Sequence, residues 1–378
     1  MRKGVFILLL LVSYFTLCVE TKDVDDYIIF TTRDYQLHLY KTKGTFDFLV
    51  KDKDGIFHPI HKAEGESPWF GYNGPRGEVS SSRNPIGEIK MKRWREGYLV
   101  SILVPLEQGV FWDGEFYISD DYLVVRSLIK SEARSGISIV RLAPRFEVDI
   151  ALFNRYLFSL PGQIVEGKVE ELGRPGYAGV LGWGGPKSYG SLDPSVPFFA
   201  LYNPELQVGF LFLYPFYDKL WKGKHIFLQL WEGGINYFYA GWGDENDLGK
   251  ETVFVITPLK IFSPDEIKRN VEKLNKEIEE LVRSGGLPLE FITRLLEIEG
   301  KLRKYWEISE KLLKEKLTRM DDLSEEEIKM FSDMLFKYQV LLLCSERSFE
   351  EGDYETALRY SEKMLKLLGI NDAEKMIK

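Results

Sequence analysis

The segment Phe262-Ser-Pro-Asp-Glu266 constrains the fold most, because the chain changes character there. Ser263 is a favourable N-cap, Pro264 suits the first helical position, and Glu266 occupies the capping-box position. Of the eight tryptophans, only Trp306 follows this segment. We therefore predict a boundary here, with aromatic β-structure before it and charged helices after it.

Composition excludes several classes of protein. The 378 residues are 44% hydrophobic and 29% charged, which predicts a leader and two folded domains with real cores. A net charge of -8 argues against nucleic acid as a partner, because phosphate binding needs a basic face. Two cysteines are too few for a cysteine-based metal site, and we expect no metal and no cofactor. The chain has only six glutamines, a bias typical of proteins from hot environments.

The N-terminus predicts export. Arg2 and Lys3 precede an apolar run from Val5 to Val19, which is the order of a secretory signal. The run is short for a permanent span of a bilayer. We interpret residues 1–19 as a signal peptide or an N-terminal anchor, and we expect a secreted or cell-surface protein. Contact with a membrane is expected only through this segment, if it is not cleaved.

Residues 25–260 predict many short strands. The alternation of Val110 and Trp112, and of Phe116 and Ile118, favours half-buried antiparallel strands. More than a dozen such strands exceed one immunoglobulin-type sandwich and favour a large antiparallel two-sheet sandwich.

Two stretches of the β-rich part are interpreted as loops. They are Lys51–Pro85 and Leu160–Pro197, both rich in glycine and proline. Asp54-Gly55 marks a hairpin turn within the first of them.

Residues 263–378 predict an α-helical bundle of four helices, which begin near Ser263, Pro288, Ser324 and Tyr354. Together the two parts predict an α+β protein of two domains, a β-sandwich followed by a helical bundle.

The opening and closing strands carry a family resemblance. The opening pattern is Tyr35-x-Leu-x-Leu-x-Lys41, Gly44-Thr-Phe-x-Phe48 and Asp52-Lys-Asp-Gly55, and the closing pattern is Tyr237 to Trp242 with Gly249-Lys-Glu-Thr252. These resemble galactose-mutarotase-like supersandwich domains, which occur in sugar epimerases and in glycosidases and polysaccharide lyases. The resemblance implies a supersandwich-like fold and an association with carbohydrate. The family's histidine acid and glutamate base have no matching local context here, so no catalytic pair is carried over.

A second resemblance lies near the C-terminus. The run Phe349 to Tyr360 resembles the turn and second helix of a tetratricopeptide repeat. It occurs once, whereas solenoids generally need three or more repeats. One helical hairpin in a small bundle is the alternative interpretation.

The acidic run Asp244-Glu-Asn-Asp247 is the densest in the β-rich part. As a calcium loop it fails, because Leu248 and Val255 occupy ligand positions. It is either a solvated hairpin turn or a source of general acid–base chemistry on a sugar. In the second case Asp244 or Glu245 is the catalytic candidate, with Glu232 as a weak partner.

Aromatic residues flank two glycine-rich stretches, Gly173–Gly190 and Tyr237–Asp247. Flat apolar rings suit the C–H faces of sugars, and glycine leaves room for a ligand close to the backbone. We predict that the two stretches lie together and bind glycan, and the alternative is that their aromatics belong to the core. The ligand-binding candidates are Tyr177, Trp183, Tyr189, Tyr237 and Trp242.

Three functional hypotheses follow. The first is an exported carbohydrate-associated protein that binds or processes glycan on the β-sandwich. The second is a structural or interaction protein of the cell envelope, with a protein partner on the helical domain. The third is a glycosidase, a lyase or a sugar epimerase.

Overall fold

The computed structural model describes fourteen segments of the chain, separated by short gaps. They are residues 19–62, 70–107, 109–131, 137–149, 151–160, 163–169, 180–183, 198–221, 225–230, 236–287, 289–318, 324–350, 353–371 and 373–376. The apolar run predicted as a leader lies outside them, except for Val19. The chain divides into two compact units, Met1–Glu279 and Glu280–Lys378. The predicted boundary at residues 261–264 stays a prediction.

A five-stranded antiparallel meander opens the first unit. Its strands follow one another in the order β1-β2-β3-β4-β5. Tyr35, Leu37 and Leu39 of the third strand are buried, whereas the residues between them are only half-buried. This alternation places one face of the sheet against the core. The strands are β1 (Glu20–Asp23), β2 (Tyr27–Thr31), β3 (Tyr35–Tyr40), β4 (Phe46–Lys51) and β5 (Phe57–Pro59).

Nine antiparallel strands form the largest sheet, in the order β15-β14-β17-β18-β21-β11-β10-β9-β8. The last strand in sequence is therefore the central strand of the sheet. The strands are β8 (Glu88–Trp94), β9 (Gly97–Pro105), β10 (Val110–Ile118), β11 (Leu123–Ser131), β14 (Arg155–Leu160), β15 (Gln163–Lys168), β17 (Phe198–Asn203), β18 (Val208–Leu213) and β21 (Glu251–Pro258).

The third sheet contains shorter strands in the order β16-β19-β20-β12-β6-β7, with β13 also paired to β20. Its strands are β6 (Gly71–Gly74), β7 (Gly77–Ser80), β12 (Ile139–Arg141), β13 (Arg145–Glu147), β16 (Val180–Trp183), β19 (His225–Leu230) and β20 (Asn236–Gly243).

Aromatic rings join the sheets across a common core. Phe46 on β4 meets Phe116 on β10 edge to face, with ring centroids 5.2 Å apart. Phe70, just before β6, stacks on Trp112 at 3.9 Å. Trp112 is fully buried and donates from Nε1 to Ser127 Oγ at 3.0 Å. The large antiparallel sandwich predicted for this part of the chain is confirmed.

The two predicted loop stretches are partly wrong. Lys51–Pro85 contains β5, β6 and β7, and Leu160–Pro197 contains β15 and β16. All five strands have only three to six residues and all but β5 contain glycine, so each carries too few β-branched and aromatic residues in alternation to mark a strand. The predicted turn at Gly55 is confirmed, since its φ is +85°.

The first long helix follows the β-sheets. The short helix α1 (Tyr217–Leu220) lies earlier in the chain, and α2 (Pro264–Arg283) begins where the sequence predicted. Ile267, Val271 and Ile278 form its buried stripe. Gly285, with φ +70°, ends the helix in the left-handed conformation that glycine tolerates.

The second unit is built mainly from three helices, α3 (Glu290–Leu317), α4 (Glu325–Glu350) and α5 (Tyr354–Leu367). The capping box before α4 is confirmed, because Ser324 N donates to Glu327 Oε2 at 2.8 Å and Glu327 N donates to Ser324 Oγ at 3.4 Å. Ala357 is fully buried in a cluster with Leu302 and the partly buried Trp306. The sequence therefore folds as the predicted α+β protein, and the tetratricopeptide pattern stays a resemblance of one hairpin.

Within the fourteen described segments, no helix is both long and apolar enough to cross a membrane.

Candidate functional site

The strand register brings two predicted ligand-binding positions into one sheet. Trp183, the last residue of β16, pairs with Ile226 on β19. The neighbouring residue, His225, pairs with Trp242 on β20. Trp183 and Trp242 therefore lie on the two strands that flank the start of β19. Their partners Ile226 and His225 are consecutive, and the register is irregular between His225 and Phe227, so the pairing does not place the two tryptophans on one face of the sheet. Two strand spacings separate their backbones, which is about 10 Å.

The other aromatic candidates are spread more widely. Tyr237 pairs with Gln229 near the far end of β19, about 17 Å along the strand from Trp242. Tyr177 and Tyr189 lie outside the described residues, and so does the weak catalytic candidate Glu232.

The acidic run after β20 forms a capped turn. Residues 245–247 make one turn of 3-10 helix, and Asp244 Oδ1 accepts a hydrogen bond from Asn246 N at 2.7 Å. Asp247 Oδ2 accepts in return from Asp244 N at 3.1 Å. A Cβ on Gly243 would lie 2.0 Å from that oxygen, so the turn requires glycine there. Asp244 and Glu245 are exposed, and only Gly243 separates them from Trp242 in sequence.

A second polar site, on the nine-stranded sheet, was not predicted. Two rows of paired residues cross one face of this sheet. One row is Glu88, Leu103, Asp113, Leu128 and Glu251, and the next is Lys90, Ser101, Glu115, Arg126 and Val253. Residues paired across antiparallel strands share a face, so these charges lie together. The arginine cluster denotes Asp113, Glu115, Arg126, Lys130 and Glu251.

Arg126 holds three carboxylates of this cluster. Its Nη1 donates to Asp113 Oδ1 at 2.8 Å, and its Nε donates to Glu251 Oε1. Glu115 Oε2 lies 3.8 Å from the same Nε. Lys130 makes a further ion pair with Asp113. The Glu251 side chain is only 5% exposed, and its Oε2 has no hydrogen-bond partner among the described residues.

The surroundings of Glu251 and Asp113 shift the pKa values of their carboxyls in opposite directions. Burial raises the pKa of Glu251 above its ordinary value, although the charge of Arg126 opposes the rise. Burial also acts to raise the pKa of Asp113, but the hydrogen bond from Lys130 and the charge of Arg126 outweigh it and lower this pKa. The pKa of Arg126 is raised, because its three carboxylate neighbours outweigh the effect of burial. The pKa values of the two carboxyls are thus shifted in opposite directions.

One helix is joined to the same face of the sheet. Tyr122 OH, just before β11, donates to Glu277 Oε1 of α2 at 3.5 Å. Burial raises the pKa of Tyr122 above its ordinary range, and the charge of Glu277 adds to the rise. The tyrosine is therefore a neutral donor to a carboxylate.

Comparisons with known proteins give no family. No family model matches this chain, and no curated protein matches it either.

Several solved structures are similar to parts of it. The α-N-acetylgalactosaminidase NagBb from Bifidobacterium bifidum matches at 13% identity with a TM-score of 0.46, over 66% of this chain and 38% of its own. This chain thus spans less than half the length of that protein. The periplasmic domain of Thermotoga maritima YidC matches at 14% identity and a TM-score of 0.33, over 70% of this chain and 98% of its own. An aldose epimerase homologue from C. elegans matches at 8% identity and a TM-score of 0.32, over 60% of this chain and 95% of its own.

Proposed function

We propose that the β-sandwich unit binds glycan at the edge of the third sheet, where Trp183 and Trp242 flank the start of β19. The observation that supports this is the register itself. It brings together two tryptophans from segments 59 residues apart in sequence. Their backbones lie about 10 Å apart at one end of the same three strands, so a single extended glycan at this edge can reach both positions.

The turn after β20 supplies the polar part of this proposal. Asp244 and Glu245 are exposed and follow Trp242 after Gly243. Carboxylate oxygens accept hydrogen bonds from sugar hydroxyls, while aromatic rings cover the apolar faces of the sugar. The capping box fixes the turn, so these acceptors are held in place before a ligand arrives.

Export belongs to the same proposal. Arg2 and Lys3 before the apolar run support a leader. N-terminal sequencing of the protein from its host is expected to begin near Val19. A chain that retains Met1 in a soluble cytoplasmic fraction would contradict export.

A glycan array probed with the full-length chain tests the binding proposal. Trp183→Ala and Trp242→Ala are each expected to abolish array binding, with melting temperatures close to the wild type. Trp94→Ala is the matched control, because Trp94 is a partly buried tryptophan on the edge strand of a different sheet. If Trp183 and Trp242 are core residues instead, each change costs about 3–5 kcal/mol of unfolding free energy. That outcome, or unchanged array binding, would overturn the proposal.

The arginine cluster favours a second candidate, that the unit processes glycan. Paired carboxyls whose pKa values are pushed apart are the pattern of an acid and a base in glycosidic chemistry. In this candidate Glu251 would be the acid and Asp113 the base, and their contacts with one guanidinium hold them within about 10 Å of each other. Turnover of an array-positive glycan that is lost in Glu251→Gln and in Asp113→Asn, without loss of binding, would support processing. Intact glycan after prolonged incubation with the wild type would exclude it.

A further inference from the structure

The α4 helix carries an apolar stripe that its own bundle does not cover. Phe336, Val340 and Leu343 are 68%, 43% and 65% exposed, respectively. They follow one another at spacings of four and three residues, which places them on one side of the helix. The same alternation of four and three marks the contact seam of paired helices.

The helix already has a buried side. Tyr338 is 5% exposed and packs in a cluster with Met364 and Leu368, and Leu341 and Leu342 contact the same cluster. A helix on the surface of a small bundle needs one apolar side, and α4 has two. Contiguous exposed apolar surface of this kind marks a site of interaction.

A groove runs beside the stripe, between α4 and α5. Its volume is about 410 Å³, and it is lined by Phe336, Lys337, Val340, Leu341, Lys363 and Leu367. Four of these residues are apolar, and the two lysines are exposed. Lys337 has no acidic partner among the described residues of the chain, and the ammonium of Lys363 lies 5.6 Å from the ring centroid of Tyr360.

We propose that this groove binds an amphipathic helix of a partner protein, with an apolar seam at alternating spacings of four and three residues and acidic residues beside it. The apolar stripe supplies the contact area, and the two lysines select acidic flanks and repel basic ones. A second copy of this chain is a poor occupant, because a two-fold pairing through the groove would bring the same two lysines of each copy together.

Fluorescence anisotropy with two synthetic peptides tests the proposal on the full-length chain. Both peptides are three-heptad helices with leucine at the seam positions. One has glutamate and the other lysine at the flanking positions. The glutamate peptide is expected to bind and the lysine peptide to bind at least about tenfold more weakly.

Two kinds of variant localise the binding. Phe336→Asp is expected to weaken binding of the glutamate peptide by about tenfold or more, because it places a charge in the apolar stripe. Leu317→Asp is its matched control, since Leu317 is an exposed leucine of the same unit outside the groove. The double charge reversal Lys337→Glu with Lys363→Glu is expected to reverse the order of the two peptides, which a loss of folding cannot do.

Three outcomes would overturn the proposal. Equal binding of both peptides would remove the role of the lysines. Glutamate-peptide binding that is unchanged in Phe336→Asp, while circular dichroism shows an intact fold, would place the contact elsewhere. Sedimentation that shows a dimer of the wild type and a monomer of Phe336→Asp would make the occupant a second copy.

Discussion

Replacing Arg126 by methionine tests the electrostatics of the arginine cluster. Methionine keeps much of the apolar stem and removes the charge that Asp113, Glu115 and Glu251 share. Removing one partner of a buried ion pair costs about 3–5 kcal/mol of unfolding free energy, because the remaining charge has no counter-ion. Asp113 and Glu115 are only half-buried, and Lys130 still pairs with Asp113. We therefore expect Arg126→Met to lower the free energy of unfolding by about 3 kcal/mol at neutral pH, near the lower end of this range.

The loss is expected to depend on pH through Glu251. Its folded-state pKa lies above the unfolded value of 4.5, so the folded state favours the protonated acid. The stabilisation from this preference is fully present below pH 4.5 and is lost as the pH rises through the folded-state pKa. Without Arg126 that pKa rises further, so the variant loses stability over a wider pH range than the wild type. Arg126→Met combined with Glu251→Gln is expected to recover about 2 kcal/mol, because no buried charge is left alone.

Urea unfolding followed by tryptophan fluorescence measures these differences. All tryptophans except Trp306 precede residue 263, so the signal reports mainly on the β-rich unit. Arg33→Met is the control, because Arg33 pairs with Asp120 on the surface, where loss of an ion pair is expected to cost little stability. The reasoning is refuted if Arg126→Met costs no more than Arg33→Met, if its cost is the same at about pH 5 and about pH 8, or if Glu251→Gln does not restore stability.

Three further predictions concern the core, the turn and one pKa. Trp112→Ala is expected to cost about 3–5 kcal/mol in urea unfolding, because the side chain is fully buried in the aromatic core; a cost below about 1 kcal/mol would contradict this placement. Gly243→Ala is expected to weaken glycan-array binding, because its methyl group collides with Asp247 and displaces the acidic turn; unchanged binding would remove the turn from the site. His58→Ala is expected to raise the pKa of Asp52, because a hydrogen bond from His58 is the main cause of its lowered value. In the wild type this lowered pKa stabilises the fold above pH 3.8 and the contribution is lost as the pH falls, so a carboxyl NMR titration that is identical in wild type and variant would refute the assignment.

Local sequence patterns predicted the elements well where each element carries its own signal. The alternation through Val110 and Trp112 gave a half-buried strand, and the structure has the same alternation in β10. The capping residues before α2 and α4 marked both helix starts to within a residue. These patterns work because burial on one side and a satisfied helix terminus depend on neighbours in sequence.

The arginine cluster shows what such patterns miss. Arg126 and Glu251 are 125 residues apart and meet only because β11 pairs with β21. Each looks like an ordinary exposed charge in its own segment, and no spacing in the sequence encodes a pairing between distant strands. The same limit applies to Trp183 and Trp242, which are neighbours only through β19. The sequence alone therefore predicted many of the strands but not the order in which they pair.

The central place of β21 in the nine-stranded sheet has a consequence for synthesis of the chain. β11 and β18 each expose an unpaired edge until β21 enters between them. About 120 residues must be translated after β11 before β21 exists, which takes on the order of ten seconds at usual rates of elongation. Through that interval β11 keeps an open edge that can recruit a foreign strand, and a second open edge is added once β18 has been made. A chaperone that shields those edges would therefore act on the ribosome-bound chain, before the helical part has been made.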